Sequence, residues 1–190
     1  VPLFIDFPGN TLKGDSCVVP VTGADLYPTF LDMAGIPLIP GQHQDGVSLL
    51  PLLQGKSIPE RALYWHYPHY GNQGGEPSSI IRQGDWKLIH YYEDGRDELY
   101  NLRIDETESE PLNVQYPEKV EFLSEKLSVW LTEVGARYPE PDPQYNPAAE
   151  ALYKKKTRER MMKTLEATRK KQLGKDFKPN ADWWGSETKD

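Results

Sequence analysis

The residues best able to do chemistry sit together in Trp65-His66-Tyr67-Pro68-His69-Tyr70-Gly71-Asn72-Gln73-Gly74-Gly75-Glu76. Two histidines flanked by aromatic rings run into a stretch rich in glycine and tipped with Asn, Gln and Glu. Such a segment suits a loop that closes over a polar ligand, and a protonated imidazole beside an anion gains charge-assisted hydrogen bonds. His66 and His69 are therefore the candidate ligand-binding residues. The competing expectation makes His66 a strand residue packed under a sheet and His69 a turn residue. Read as a His-x-x-His metal pair, they lack further ligands nearby. Arg82 and Lys87 could draw in an anion, but alternation with apolar neighbours marks them as solvent-facing. His43 and His90 show no partner in the sequence, and Asp85 and Asp94 read as turn formers.

The elements that must position this segment follow from periodicity. Ala62–His66, Ser79–Arg82, Trp86–Tyr92 and Asp97–Asn101 read as strands, joined by Gln83-Gly84-Asp85 and Glu93-Asp94-Gly95-Arg96 as hairpin turns. A helix is expected over 117–135, opened by Pro117 and ended by Gly135, with Val120, Leu123, Leu127, Trp130, Leu131 and Val134 on one stripe. That stripe should lie across the small antiparallel sheet.

Upstream, Val1–Phe7 reads as a buried strand ended by Pro8-Gly9, an opening that suggests a fragment of a larger sheet. Thr22 should cap a short helix, with Asp25 reaching back, Pro28 restarting or kinking it, and Gly35 closing it. Its buried side is expected from Leu26, Phe30, Leu31, Met33 and Ala34. Ser48–Leu53 is a helical turn. Beyond 135 come a proline-punctuated linker, a basic helix from Asn146-Pro147 to about Gln172 with a thin apolar stripe, and an irregular tail carrying Trp183-Trp184.

The bulk properties narrow the classes. The 190 residues are 37% hydrophobic, include 17 prolines and carry a net charge of −7. That balance argues against a general nucleic-acid binder, since phosphate contacts need clustered cations. No apolar run is long enough to cross a membrane. A single cysteine, Cys17, excludes an internal disulfide and a thiolate zinc cage. The basic run from Lys154 to Lys171 is usually a solvated helix face. A sulfated polysaccharide is the alternative ligand for Lys154-Lys155-Lys156 with Arg158 and Arg160.

Three blocks in order carry a resemblance. They are Val1-Pro2-Leu3-Phe4-Ile5 with Phe7-Pro8-Gly9; Asp25-Leu26-Tyr27-Pro28-Thr29-Phe30-Leu31-Asp32-Met33-Ala34-Gly35-Ile36 running on to Asp45-Gly46-Val47-Ser48-Leu49-Leu50-Pro51-Leu52-Leu53; and Ala62-Leu63-Tyr64-Trp65-His66 followed by Ile81-Arg82-Gln83-Gly84-Asp85-Trp86-Lys87-Leu88-Ile89 and Glu98-Leu99-Tyr100-Asn101-Leu102. Over roughly the first 135 residues this resembles the carboxy-terminal portion of type I, formylglycine-dependent sulfatases of the alkaline-phosphatase-like superfamily. The resemblance implies an α/β fold, a fragment of the alkaline-phosphatase-like sandwich with a small subdomain of antiparallel sheet plus one long helix. Residues 1–60 would be the edge of the main α/β domain, 61–136 the small subdomain, and 137–190 a Pro-rich linker, basic helix and tail.

In that family a Cys or Ser in a C/S-x-P-x-R motif becomes formylglycine, whose hydrate attacks sulfur while calcium neutralises the sulfate oxygens. Cys17 precedes Val18-Val19-Pro20-Val21, with proline one place late and no arginine, so it reads as a small buried or edge residue. The resemblance thus implies a sulfuric-ester hydrolase, on a sulfated carbohydrate or aryl sulfate, whose nucleophile and calcium ligands lie upstream. No catalytic residue, metal ligand or bound cofactor is expected in this chain, while calcium and formylglycine are expected in the full-length enzyme. His66 and His69 would border the substrate pocket and contact the sulfate ester or its sugar. The partners expected are that substrate and the rest of the sulfatase chain, with no nucleic acid and no membrane span, in the periplasm or secreted. The alternatives are a phosphodiesterase or phosphonate hydrolase of the same superfamily, and a non-catalytic module binding sulfated glycans or a protein.

Overall fold

A computed structural model of the chain describes residues 2–9, 14, 16–71 and 75–178. It divides into two units, Val1–Pro139 and Glu140–Asp190. In the first unit, the strands β1 (Ala62–Tyr67), β2 (Ser78–Gln83), β3 (Trp86–Tyr91) and β4 (Asp97–Asn101) form one antiparallel sheet in sequence order. The strand limits fall within one residue of those the alternation predicts. Tyr92 is the difference: it leaves the ladder and enters the turn.

The turns show why this register is chosen. Gln83 pairs with Trp86, leaving Gly84-Asp85 as a two-residue loop. Gly84 has φ +57, the glycine-first arrangement of a type II′ turn, whose twist matches the flanking strands. With that register fixed, Tyr64, Ile81, Leu88 and Leu99 line up as one cross-strand row.

Helix α3 (Pro117–Glu133) lays Leu123, Leu127 and Leu131 on Ile81, Leu88 and Leu99, and these six form the buried core. Trp130 stacks flat on Tyr64, centroids 4.8 Å apart. Burying a Leu or Ile side chain contributes about 1.5–3 kcal/mol, so this row holds the subdomain together. Val134, expected on the stripe, is 51% exposed. It is the residue that caps the helix, where the chain is already leaving the sheet.

The other sheet face is mixed, with buried Leu63, Ile89 and Tyr100 beside charged residues. Lys87 donates to Glu108 at 2.6 and 2.7 Å and is only 19% exposed, so it is paired and not solvent-facing as expected. Arg82 is half-buried, its Nε donating to the Gly84 carbonyl at 3.4 Å.

Before the sheet, α1 (Leu26–Met33) follows a 3-10 turn at Gly23–Asp25, and α2 is the single turn Leu50–Leu53. Asp25 reaches back to the Thr22 N–H at 2.7 Å. Pro28 falls within the first turn of α1, where the missing N–H has no helical acceptor to lose, so no kink is needed. The buried side of α1 is not the one expected: Asp25, Pro28 and Thr29 are buried, while Phe30 is 60% exposed.

Residues 2–7 form no strand, and Phe4 is 89% exposed. A strand needs a neighbouring strand for its backbone groups, and the four-stranded sheet does not include this segment. Cys17 is exposed, not the buried or edge residue expected.

In the second unit, α4 spans Pro147–Gln172, its N-terminus capped by Asn146, which accepts from the Ala148 and Ala149 N–H groups at 3.1 Å. It buries no residue. Trp183 and Trp184 lie outside the described residues.

Candidate functional site

The same register that builds the apolar row builds a second, polar row two residues along. His66, Ser79, His90 and Asp97 are successive cross-strand partners, on the face that carries Tyr64, Ile81, Leu88 and Leu99. Tyr92, just past β3, and Tyr138, beyond α3, close over this row. The Tyr92 ring meets His66, His90 and Tyr138 edge-on at centroid distances of 5.9, 5.4 and 5.5 Å.

The Arg137 carbonyl sets the direction of this hydrogen-bond chain for a neutral His66. His66 Nε2 lies 2.9 Å from the Arg137 carbonyl, which only accepts, so Nε2 carries hydrogen. In the neutral imidazole Nδ1 is then the acceptor and takes the Ser79 hydroxyl proton at 2.7 Å. Ser79 Oγ in turn accepts from Tyr92 at 2.6 Å. Serine, histidine and aspartate are all present, but they do not form a nucleophilic triad. Ser79 is fully buried, and Asp97 orients His90, not His66. The row ties β1, β2 and β3 to the chain leaving α3.

His90 bonds Asp97 at 2.8 Å, the partner its sequence context did not reveal. The Asp97 hydrogen bond raises the His90 pKa above 6.5, partial burial works against it, and the charges of Asp97 and Asp94 add to the rise. A raised histidine pKa gives stability that is complete below the unfolded value of about 6.5 and fades as pH climbs through the folded value. The melting temperature is expected to fall more steeply from about pH 6 to about pH 8 in the protein as it stands than in His90→Gln. Parallel pH profiles for the two would contradict that.

His66 and His69 are thus placed differently. His66 is half-buried with both ring nitrogens bonded within the protein. His69 lies past the end of β1, exposed, its ring edge-on to Tyr67 at 5.5 Å. Trp65 and Tyr67 point to the sheet face opposite α3 and are 42% and 53% exposed, and Tyr70 is 57% exposed. Together with His69 they present aromatic and imidazole surface around the start of the β1–β2 loop.

The loop closes at Gly71, whose N–H reaches the Gly75 carbonyl at 3.4 Å. Its far side is anchored by Glu76, which accepts from Arg96 at 2.6 Å. Arg96 lies over the Tyr91 ring, 3.7 Å from the centroid, and also bonds Asp94 and Glu98. Asn72, Gln73 and Gly74, the expected tip, lie outside the described residues.

A second polar cluster organises the region before the sheet. The Asp25 carboxylate accepts from the Thr22 N–H at 2.7 Å, from the Val47 N–H at 3.0 Å and from Arg61 at 2.5 Å. Burial pushes this carboxyl up, but the Arg61 guanidinium and the two N–H groups outweigh that and hold it below its ordinary value of 3.8. Thr29 extends the cluster by donating to the Asp25 carbonyl and accepting from the Leu49 N–H. Ser48 donates to Asp32 at 2.5 Å. The Asp-Gly-Val-Ser segment is therefore stitched to α1 by backbone and side-chain bonds.

Among the described residues no three His, Cys, Asp or Glu side chains converge on one point that could hold a metal. Cys17 lies in the open with no arginine following it. Among the described residues, neither the acidic side chains nor Cys17 fits a calcium ion or a formylglycine.

The profile of a family described as "N-sulphoglucosamine sulphohydrolase, C-terminal" matches residues 1–136. The chain belongs to this sulfatase C-terminal family. Arylsulfatase K of Mus musculus is 34% identical over 136 residues, covering 67% of this chain and 24% of that protein. An N-acetylglucosamine-6-O-sulfatase of Bacteroides thetaiotaomicron is 32% identical over 151 residues, covering 75% of this chain and 26% of that protein. A crystal structure from Bacteroides thetaiotaomicron, of a protein provisionally described as a sulfatase, superposes with a TM-score of 0.50 at 27% identity. It covers 63% of this chain and 27% of that one. The chain spans about a quarter of the length of these curated relatives. The four-stranded antiparallel sheet with its helices is the α/β layout expected of a sulfatase C-terminal subdomain. No helix among the described residues is long and apolar enough to cross a membrane.

Proposed function

We propose that this sulfatase C-terminal region works as part of a sulfuric-ester hydrolase acting on a sulfated carbohydrate or aryl sulfate. The observation that carries the reading is the match of the sulfatase family across residues 1–136. The names of the relatives, an arylsulfatase and an N-acetylglucosamine-6-O-sulfatase, support the substrate class. Calcium and the formylglycine nucleophile come from residues outside this chain, which contributes one wall of the substrate pocket. The site of action is the periplasm or the exterior of the cell.

That wall is the β1–β2 loop. His69 offers an exposed imidazole to a sulfate ester, and Trp65, Tyr67 and Tyr70 offer apolar ring faces to a sugar. His66 supports the loop from beneath and contacts a ligand only if Nε2 leaves the Arg137 carbonyl.

The test uses the full-length enzyme on a sulfated monosaccharide. Sulfate release is expected, and hydrolysis of a phosphodiester to its alcohol and phosphomonoester at a greater kcat/KM would replace the reading with a phosphodiesterase. His69→Ala is expected to raise KM about tenfold with kcat little changed, the loss of one hydrogen bond to a charged group made equally in ground and transition states. An unchanged KM removes His69 from the pocket wall.

A further inference from the structure

Helix α4 has a composition and a setting that the pocket does not use. It carries nine Lys and Arg against three Glu, in a chain whose net charge is −7. Six of those cations, Lys154, Lys155, Lys156, Arg158, Arg160 and Lys163, fall within ten residues. At 1.5 Å rise per residue that is a rod of about 14 Å. All six are exposed, and no side chain of the helix is buried.

A solvated helix that buries no face, as here despite exposed Leu152, Tyr153, Met161, Met162 and Leu165, is ordinarily held by many pairs of opposite charge one turn apart. Here the ion pairs are Glu150 with Lys154, and Glu166 with Arg169 and Lys170. Lys155, Lys156, Arg158, Arg160 and Lys163 have no ion pair among the described residues, and only Glu159 stands within their span. Like charges a turn apart destabilise a helix, so this pattern lacks its counter-charge. The cations also point to every side of the rod, at 100° per residue, which fits a flexible polyanion better than a shaped protein groove.

We propose that α4 is a binding element for a sulfated polysaccharide. The inference rests on the sulfatase reading above, because a polymer bearing many sulfate esters is at once the substrate class and the missing counter-charge. Holding the chain by its length turns capture of the next ester into an intramolecular event and raises its effective concentration at the pocket. Binding should be strongly weakened by salt, as expected when cations displace a polyanion's counterions.

The experiment uses full-length enzyme and a variant with the six cations changed to Gln, a residue of similar helix propensity, its fold checked by circular dichroism. Heparin and chondroitin sulfate are the polymer probes, and a sulfated monosaccharide the small one. The expected result is at least about a tenfold loss of affinity for a polymer at constant salt, together with a comparable rise in KM for polymer only. Polymer affinity and KM equal to the parent's would overturn the proposal. So would tighter binding to duplex DNA or to anionic phosphatidylserine vesicles than to either polysaccharide. A protein that binds the polymers through α4 but releases sulfate from nothing would instead remove the sulfatase reading and leave the binding element standing.

Discussion

Asp25→Ala is expected to cost about 3–5 kcal/mol, the range found when one partner of a buried ion pair is removed. The Asp25 side chain is wholly buried and Arg61 only 18% exposed. Alanine would leave that guanidinium facing a hole and would strip the Thr22 and Val47 N–H groups of their acceptor. Against a typical total stability of about 5–15 kcal/mol, the loss is large. It is measured by denaturant unfolding of the variant beside the parent. A change below about 1 kcal/mol, the median for an exposed ion pair, would show that the cluster is ornamental. The same carboxylate sets an acid limit. Its depressed pKa contributes stability that is present above its unfolded value of about 3.9 and is lost as pH falls through the folded value.

Gly46→Ala is expected to be nearly as damaging, by a different route. A Cβ at Gly46 would lie 2.1 Å from the Ala24 carbonyl oxygen and 2.7 Å from its carbon. Both are backbone atoms of the 3-10 turn that leads into α1, so nothing can swing aside. The Asp45–Ser48 segment would have to back away from α1, breaking the Val47–Asp25 and Ser48–Asp32 bonds. The expected loss is about 3 kcal/mol, the upper part of the range for overpacking. Because the two substitutions strike one network, the double variant should lose clearly less than the sum of the two. Full additivity, or a Gly46→Ala protein as stable as the parent, would contradict this picture.

Much of the sheet was legible because local chemistry decides it. Gly84-Asp85 dictates a two-residue turn, and once Gln83 faces Trp86 every other cross-strand pair follows. The α3 stripe was legible for the same reason, down to Leu123, Leu127 and Leu131. The polar row was not, although its signal was present. Counting outward from the Glu93–Arg96 turn brings His90 opposite Asp97, and counting back through Gly84 brings Ser79 opposite His90. Each histidine's partners are its neighbours in register, which the adjacent residues in the chain do not reveal.

Residues 2–7 and α1 failed for a physical reason of another kind. Phe4 and Phe30 have the apolar character of core residues, but a strand or a helix face is buried only by something opposite it, and these two side chains are 89% and 60% exposed. Asp25 was read as a capping residue, which it is. Its larger role depends on Arg61, thirty-six positions away, and no local pattern links the two. His69 and the aromatic residues around it were identifiable by type alone, whereas the commitment of both His66 nitrogens depends on Ser79 and on a backbone carbonyl at Arg137.

The central claim is that these residues are the non-nucleophilic wall of a sulfatase. Its most direct test measures sulfate released from an aryl sulfate by purified chain 1–190 and by the full-length enzyme, side by side. Turnover is expected from the full-length enzyme, and none above the blank from the chain alone. Turnover by chain 1–190, or an intact full-length enzyme that releases no sulfate, would contradict it.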